Sequence, residues 1–219
     1  MNYKKHLEHK IFAIISQAAQ ELNLECYVIG GFVRDILLQR DHKKDIDIVA
    51  VGSGIELALK VSQLIPHQPK VQVFKNYGTA MLRYDDMDIE FVGARKESYN
   101  FESRKPVVEN GTLKDDQERR DFTINAMAFS LNQEKFGELV DPFSGVEDLQ
   151  NKIIKTPLDA DITYSDDPLR MMRAIRFATQ LKFEIESDSL AAIARNKDRI
   201  AIISGERIVD ELNKILATD

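Results

Sequence analysis

Near the start of the chain, apolar side chains fall at Leu7, Ile11, Ile14, Ile15, Ala18 and Leu22, a spacing that predicts an amphipathic helix over Lys4–Leu22. The period then changes to two. Runs at Cys26–Ile29, Ile46–Val51, Val71–Phe74, Thr79–Tyr84 and Met87–Val92 read as strands, with a helix over Ile55–Ile65 between the second and third. Gly93–Asp116 is polar, contains Pro106, Asn110 and Gly111, and holds no period, which predicts a long loop or a partly mobile arm. From Asp166 helical spacing returns through Leu169, Met172 and Ile175 to Leu181, over Leu190–Ala194, and along Ile208, Leu212, Ile215 and Leu216. The order implies an α+β fold: a small mixed β-sheet flanked by helices over residues 1–155, then an all-helical neck over 156–219. The chain stops at Ala217-Thr218-Asp219, directly after the last helical turn and without a capping residue, as a helical bundle cut short would.

Composition narrows the class. With 219 residues, 43% hydrophobic and 30% charged, the chain can bury one substantial core and carry a small second lobe. Charges and amides interrupt every apolar run near the N-terminus, so neither a signal peptide nor a membrane span is expected, and the location implied is cytoplasmic. The single cysteine, Cys26, is expected as a reduced, packed thiol on a core strand. His6, His9, His42 and His67 lack partners at metal-ligand spacing, which turns the search from zinc to carboxylates.

Two constellations carry candidate chemistry. Gly30-Gly31-Phe32-Val33-Arg34-Asp35 follows a strand and opens a helix over Val33–Leu38, where glycines admit a ligand close to the backbone and a helix start offers unpaired N–H groups to an anion. Arg34 adds a guanidinium fork for phosphates. Alone, such a pair of glycines is more often a plain tight turn. Asp45-Ile46-Asp47-Ile48-Val49 alternates acidic and apolar residues, which puts Asp45 and Asp47 on one face of a strand. Repelling carboxylates there suit a hard divalent cation shared with substrate phosphates, although an isolated pair reads equally well as a solvated edge. Met87-Asp88-Ile89-Glu90 repeats the alternation and offers Glu90 as a third carboxylate.

GGFVRD followed by DID resembles the first motif of the DNA polymerase β-like nucleotidyltransferases, and within them the class II tRNA CCA-adding enzymes and bacterial poly(A) polymerases. The resemblance covers nearly the whole chain. It implies that Gly31 and Arg34 hold a triphosphate and that Asp45 and Asp47, with Glu90, hold two Mg2+ ions. Arg119-Arg120-Asp121-Phe122-Thr123-Ile124-Asn125-Ala126 is similar to the family's next block, in which Arg120 and Asp121 contact the ribose. Asp166-Asp167-Pro168-Leu169-Arg170 is similar to a base-reading motif, with Asp in place of the usual Glu at its first position. Asp167 accepts from the exocyclic amine of cytosine or adenine while Arg170 donates to a neighbouring ring atom, and uracil and guanine offer the opposite pattern. On a helix, Asp167, Arg170, Arg173 and Arg176 share a face at every third position, and the resemblance turns Arg173 and Arg176 to the nucleotide. Ser204-Gly205-Glu206-Arg207 with Glu211-Leu212 matches a further motif, read as helix-stabilising or RNA-contacting, and Asp141-Pro142-Phe143 through Leu149 reads as a turn into a short helix.

The implied activity is addition of C and A to a tRNA 3′ end from CTP and ATP, with release of pyrophosphate. Poly(A) addition, CC-only or A-only addition, and a binding module without chemistry are the rivals. A net charge of −6 sits awkwardly with RNA binding and suggests that the RNA grip is completed by C-terminal domains absent from this chain.

Overall fold

A computed structural model describes residues 2–40, 44–100 and 103–218, so His42 lies outside the described residues. The chain divides into two compact units. The first comprises 1–96, 110–116 and 127–142, and the second 97–109, 117–126 and 143–219.

The first unit contains α1 (Lys10–Glu21), β1 (Glu25–Ile29), α2 (Gly31–Leu37), β2 (Asp45–Val51), α3 (Gly54–Leu64), β3 (Gln72–Phe74), β4 (Thr79–Tyr84) and β5 (Met87–Gly93). The strands join in a seven-stranded sheet of order β3-β4-β5-β2-β1-β8-β9, whose last two members are short and come later in the chain. Only β2 and β5 pair in parallel; the other neighbours are antiparallel. Alternation sends Ile46, Ile48, Ile89, Phe91, Ala80, Leu82, Cys26 and Val28 to one side, where α1 and α3 cover them and all are buried. Burial pushes the Cys26 thiol up to about 12, so it packs as a small apolar group. The opposite side carries a second apolar cluster of Ile29, Val49, Ala94, Leu113 and Ala128, and next to it the carboxylates.

The expected first helix is shorter than its apolar spacing implied. A 3-10 turn at Lys4–His6 precedes α1, and His9 becomes the cap, its Nδ1 accepting from the Ile11 N–H at 3.4 Å. The expected loop over Gly93–Asp116 is corrected more sharply, because β6 (Arg95–Asn100) and β7 (Ser103–Asn110) form a two-stranded sheet and α4 (Leu113–Glu118) follows. A ribbon outside the main sheet needs no period-two apolar pattern.

After α4 come β8 (Ala128–Ser130) and β9 (Leu139–Val140) of the main sheet, then α5 (Gly145–Asn151), which confirms the expected turn into a short helix. The rest of the second unit contains β10 (Ile153–Ile154), α6 (Ala160–Asp166), α7 (Leu169–Leu181), β11 (Glu184–Ile185), α8 (Ser187–Asn196) and α9 (Gly205–Leu216). The neck expected to be all-helical over 156–219 thus carries one short strand, β11, which pairs in parallel with β10 just before that span.

One glycine fixes the approach of α3 to the sheet. A Cβ on Gly54 would lie 2.6 Å from the Val92 carbonyl carbon, so Gly54→Ala is expected to destabilise the fold by about 1–3 kcal/mol in urea unfolding. An unchanged midpoint would show that the helix simply shifts.

Candidate active site

In the first unit the site grows from the register of three strands. Ile29 pairs with Asp47, and Asp47 pairs with Glu90, so the end of β1 and two carboxylates lie in one row. Asp45 pairs with Asp88 in the next row toward the start of β2. Asp45 is exposed, Asp47 and Glu90 are partly buried, and Ile46 and Ile48 point into the core, as the acidic alternation predicted. Burial is the main cause that raises the Glu90 pKa, and the Asp47 charge raises it further; Arg95 and a hydrogen bond with Thr79 act the other way. Among the described residues no three His, Cys, Asp or Glu side chains converge as a preformed metal cage. The donor set is nonetheless the right chemistry for a hard cation: adjacent carboxylates, one destabilised as an anion by burial and then by its neighbour.

Beside this row the chain turns from β1 into α2. Gly30 has φ 84° and ψ −136°, a backbone conformation open to glycine, and its N–H donates to the Met127 carbonyl at 3.3 Å. The structure brings this turn and the carboxylates together in one unit. It gives Arg34 a different setting from the one expected. Its guanidinium is buried and its Nε donates to Asp35 Oδ1 at 2.8 Å, so this fork braces the helix it stands on.

The remaining candidates belong to the second unit, where an ion network dominates. Asp121 is buried and accepts four hydrogen bonds: its Oδ1 from the Phe122 N–H and from Asn125, its Oδ2 from Nε and Nη2 of Arg173. Burial alone would push its pKa up; the Arg173 charge and the bonds from Asn125 and Arg173 outweigh that and hold it below the ordinary carboxylate range. Arg173 also approaches Glu211 at 3.9 Å. Glu211 is buried on α9 and takes Arg176 at 2.9 Å and Lys214 at 3.4 Å, the Arg176 contact being an ion pair whose Nε is poorly aligned for hydrogen bonding. Both guanidinium groups lie over the Phe177 ring, which meets Phe122 edge to face. Arg173 and Arg176 were expected to face a nucleotide, and these carboxylate contacts are what the sequence reading lacked. Glu211 was legible only as a motif letter. Its physical signal is a carboxylate three residues after Ile208 and four before Ile215, on the apolar side of a helix.

Asp167 corrects a second expectation. It does not share a helix face with Arg170, because α6 stops at Asp166 and Asp167 is extended, with φ −132° and ψ 96°. Pro168 is the cause: its ring disfavours helical geometry at the preceding residue. Asp167 Oδ1 accepts from the Leu169 N–H at 3.2 Å, and so caps the start of α7. Arg170 donates from Nη2 to the Arg119 carbonyl at 2.6 Å and from Nη1 to the Thr163 carbonyl at 3.4 Å. Arg120 Nη1 reaches the Asn125 carbonyl at 3.5 Å, and Arg119 pairs with the buried Glu97 carboxylate at 3.4 Å.

The lowered Asp121 pKa makes stability depend on pH. Its contribution is present above the unfolded value of about 3.9 and is lost as pH falls through its lower folded value. Asp121→Asn is therefore expected to cost about 3 kcal/mol at neutral pH, by removing the charge that Arg173 is bonded to, and to flatten the acid limb of stability in urea titrations. An acid limb as steep as that of the wild type would place the titrating group elsewhere.

Comparison with known proteins follows the same division of chemistry. The chain is 38% identical over 198 residues to the A-adding tRNA nucleotidyltransferase of Aquifex aeolicus, covering 90% of this chain and 23% of that protein. It is 38% identical over 205 residues to the CCA-adding enzyme of Lactobacillus helveticus, covering 92% and 48%. It thus spans about a quarter to a half of the length of these relatives. A solved CCA-adding enzyme with CTP superposes with a TM-score of 0.86 at 33% identity, covering all of this chain and 50% of that one. A tRNA nucleotidyltransferase complexed with a primer tRNA and an incoming ATP analog gives 0.79 at 34%, covering 92% and 58%. Residues 182–219 match the family described as a probable RNA and SrmB-binding site of polymerase A. Residues 26–155 match the poly A polymerase head domain, and the chain belongs to that family.

Proposed function

We propose that this chain carries the catalytic part of a template-independent RNA nucleotidyltransferase, which adds C and A to the 3′ end of tRNA from CTP and ATP. The observation that supports this best is the single row formed by the β1 end, Asp47 and Glu90, with the Gly30–Gly31 turn beside it. The names of the relatives and of the solved complexes point the same way.

In this reading Gly31, at the start of α2, lends its backbone N–H to the triphosphate, Gly30 shapes the turn with its own N–H held by the Met127 carbonyl, and Arg34 supports that turn through Asp35. Proteins of this family generally use divalent metals. We assign two Mg2+ ions to Asp45 and Asp47 with Glu90 as supporting carboxylate; bound there, they supply charge neutralisation to the phosphates and activation of the attacking hydroxyl. The RNA 3′ oxygen forms a bond to the α-phosphorus as the bond to pyrophosphate breaks. Arg120 and Asp121 serve the ribose, Asp167 and Arg170 the base, and Arg173 and Arg176 hold Asp121 and α9 in position for them. The proposed division is a head over 1–155 and a neck over 156–219, supported by the two family matches. Completion of the RNA grip by C-terminal domains, such as the longer relatives have room for, accommodates the acidic balance of this chain. Among the described residues no helix is long and apolar enough to cross a membrane, which suits the proposed cytoplasmic setting.

A second reading, addition of A alone, is favoured by the similarity to A-adding enzymes from Aquifex aeolicus and Geobacter sulfurreducens. The assay offers the protein a tRNA ending before CCA, with CTP, ATP or both, and sizes the products. Two C followed by one A is expected. Incorporation only onto a tRNA already ending in CC selects A addition, and an open-ended ladder of A selects poly(A) synthesis. Asp45→Ala is expected to abolish incorporation with an unchanged unfolding midpoint; an active variant would sink the assignment.

A further inference from the structure

The row that holds the carboxylates continues across the sheet. Glu90 pairs with Met81, and Met81 with Gln72 on the edge strand β3. The adjacent row runs Val49, Val92, Thr79, Phe74. Cross-strand partners share a face, and the hydrogen bond between Thr79 and Glu90 shows that this second row lies on the carboxylate side. Beyond Glu90 the sheet thus offers an open ledge of Met81, Gln72 and Phe74. Phe74 is 42% exposed, and Tyr77 just after it is 74% exposed. Lys75 stands exposed between the two rings along the chain, and Arg83, also exposed, lies 4.0 Å from the Asp88 carboxylate. Aromatic rings interleaved with cations on a chain of net charge −6 form a local surface suited to a single-stranded nucleic acid, whose bases stack and whose phosphates need positive charge.

The order of the row says which nucleotide would lie there. The Gly30–Gly31 turn is on the β1 side of Asp47, and Glu90 and the ledge are on the other. In-line transfer puts the entering oxygen opposite the departing pyrophosphate. With the triphosphate over the turn, the RNA hydroxyl enters from the Glu90 side. Two strand spacings, about 10 Å, separate β5 from β3, which is comparable to the reach from a sugar hydroxyl to the far edge of its base. We propose that the β4–β3 ledge, with Phe74 as its stacking surface, seats the 3′-terminal base of the RNA that receives the nucleotide. This rests on the function proposed above.

The test measures binding and incorporation separately. Fluorescence anisotropy would follow a short single-stranded RNA with either a normal or an abasic 3′-terminal nucleotide, bound to wild type, Phe74→Ala, Phe74→Leu and Phe74→Trp. Loss of one base–aromatic stack is expected to weaken binding about tenfold. Phe74→Ala and Phe74→Leu should each show that loss with the normal RNA and none with the abasic one, whereas Phe74→Trp retains wild-type affinity. Phe74→Leu keeps apolar volume, so its agreement with Phe74→Ala excludes a folding defect as the cause. Equal losses on both RNAs, or wild-type binding by Phe74→Leu, would overturn the ledge. Nucleotide incorporation by the same proteins judges the enzymatic reading alone: coupling between Phe74 and the terminal base in a protein that incorporates nothing keeps the ledge and removes that reading, and incorporation without coupling does the reverse.

Discussion

Two carboxylates on neighbouring strands, Asp47 and Glu90, are forced side by side by the one parallel pairing in an otherwise antiparallel sheet. Their repulsion is a constraint that the surrounding fold must satisfy. A slip of β2 by one residue would bury both acids of its DID segment and expose Ile46 and Ile48, so the apolar side of the sheet holds the acidic side in register. Burial first and the Asp47 charge second raise the Glu90 pKa, and Arg95 and Thr79 offset them only in part. A site of this kind gains most from a cation and from anionic substrate arriving together, which is the chemistry of nucleotidyl transfer.

The second unit solves the same electrostatic problem differently. Asp121 and Glu211 are also buried carboxylates, but each meets guanidinium groups of α7, and Phe177 lies beneath both arginines. Breaking such a network is costly because each removed partner leaves a buried charge behind. The segment that matches the RNA-binding family is thereby tied through α9 and α7 to Asp121 in the RRD block. Within this unit, the ribose-contacting candidate and the segment that matches this family belong to one hydrogen-bonded and ionic assembly.

Much of this was legible in the sequence. The strands that carry the site were readable because acidic and apolar residues alternate on them, and β4 begins and ends where its pattern does. The Gly-Gly turn was readable because it stands between a strand and a helix. The β6–β7 ribbon was not, since a two-stranded sheet outside the core leaves no apolar period. The position of Asp167 was misread for the opposite reason: a helical pattern continued through it, and the steric demand of Pro168 decided the matter. The network around Glu211 was hidden because pairing between distant helices leaves no trace in local spacing, and the setting of Arg34 depends on burial that two adjacent charges in a seven-residue helix do not announce.

The central claim is that Asp47 and Glu90 form one cation-dependent centre. It is tested most directly by Mn2+ binding, followed by electron paramagnetic resonance in the presence of a non-hydrolysable nucleotide, in wild type, Asp47→Asn and Glu90→Gln. Both substitutions keep size and remove charge. Weakened Mn2+ binding in each, with the fold intact, is the expected result; wild-type affinity in both would contradict the claim.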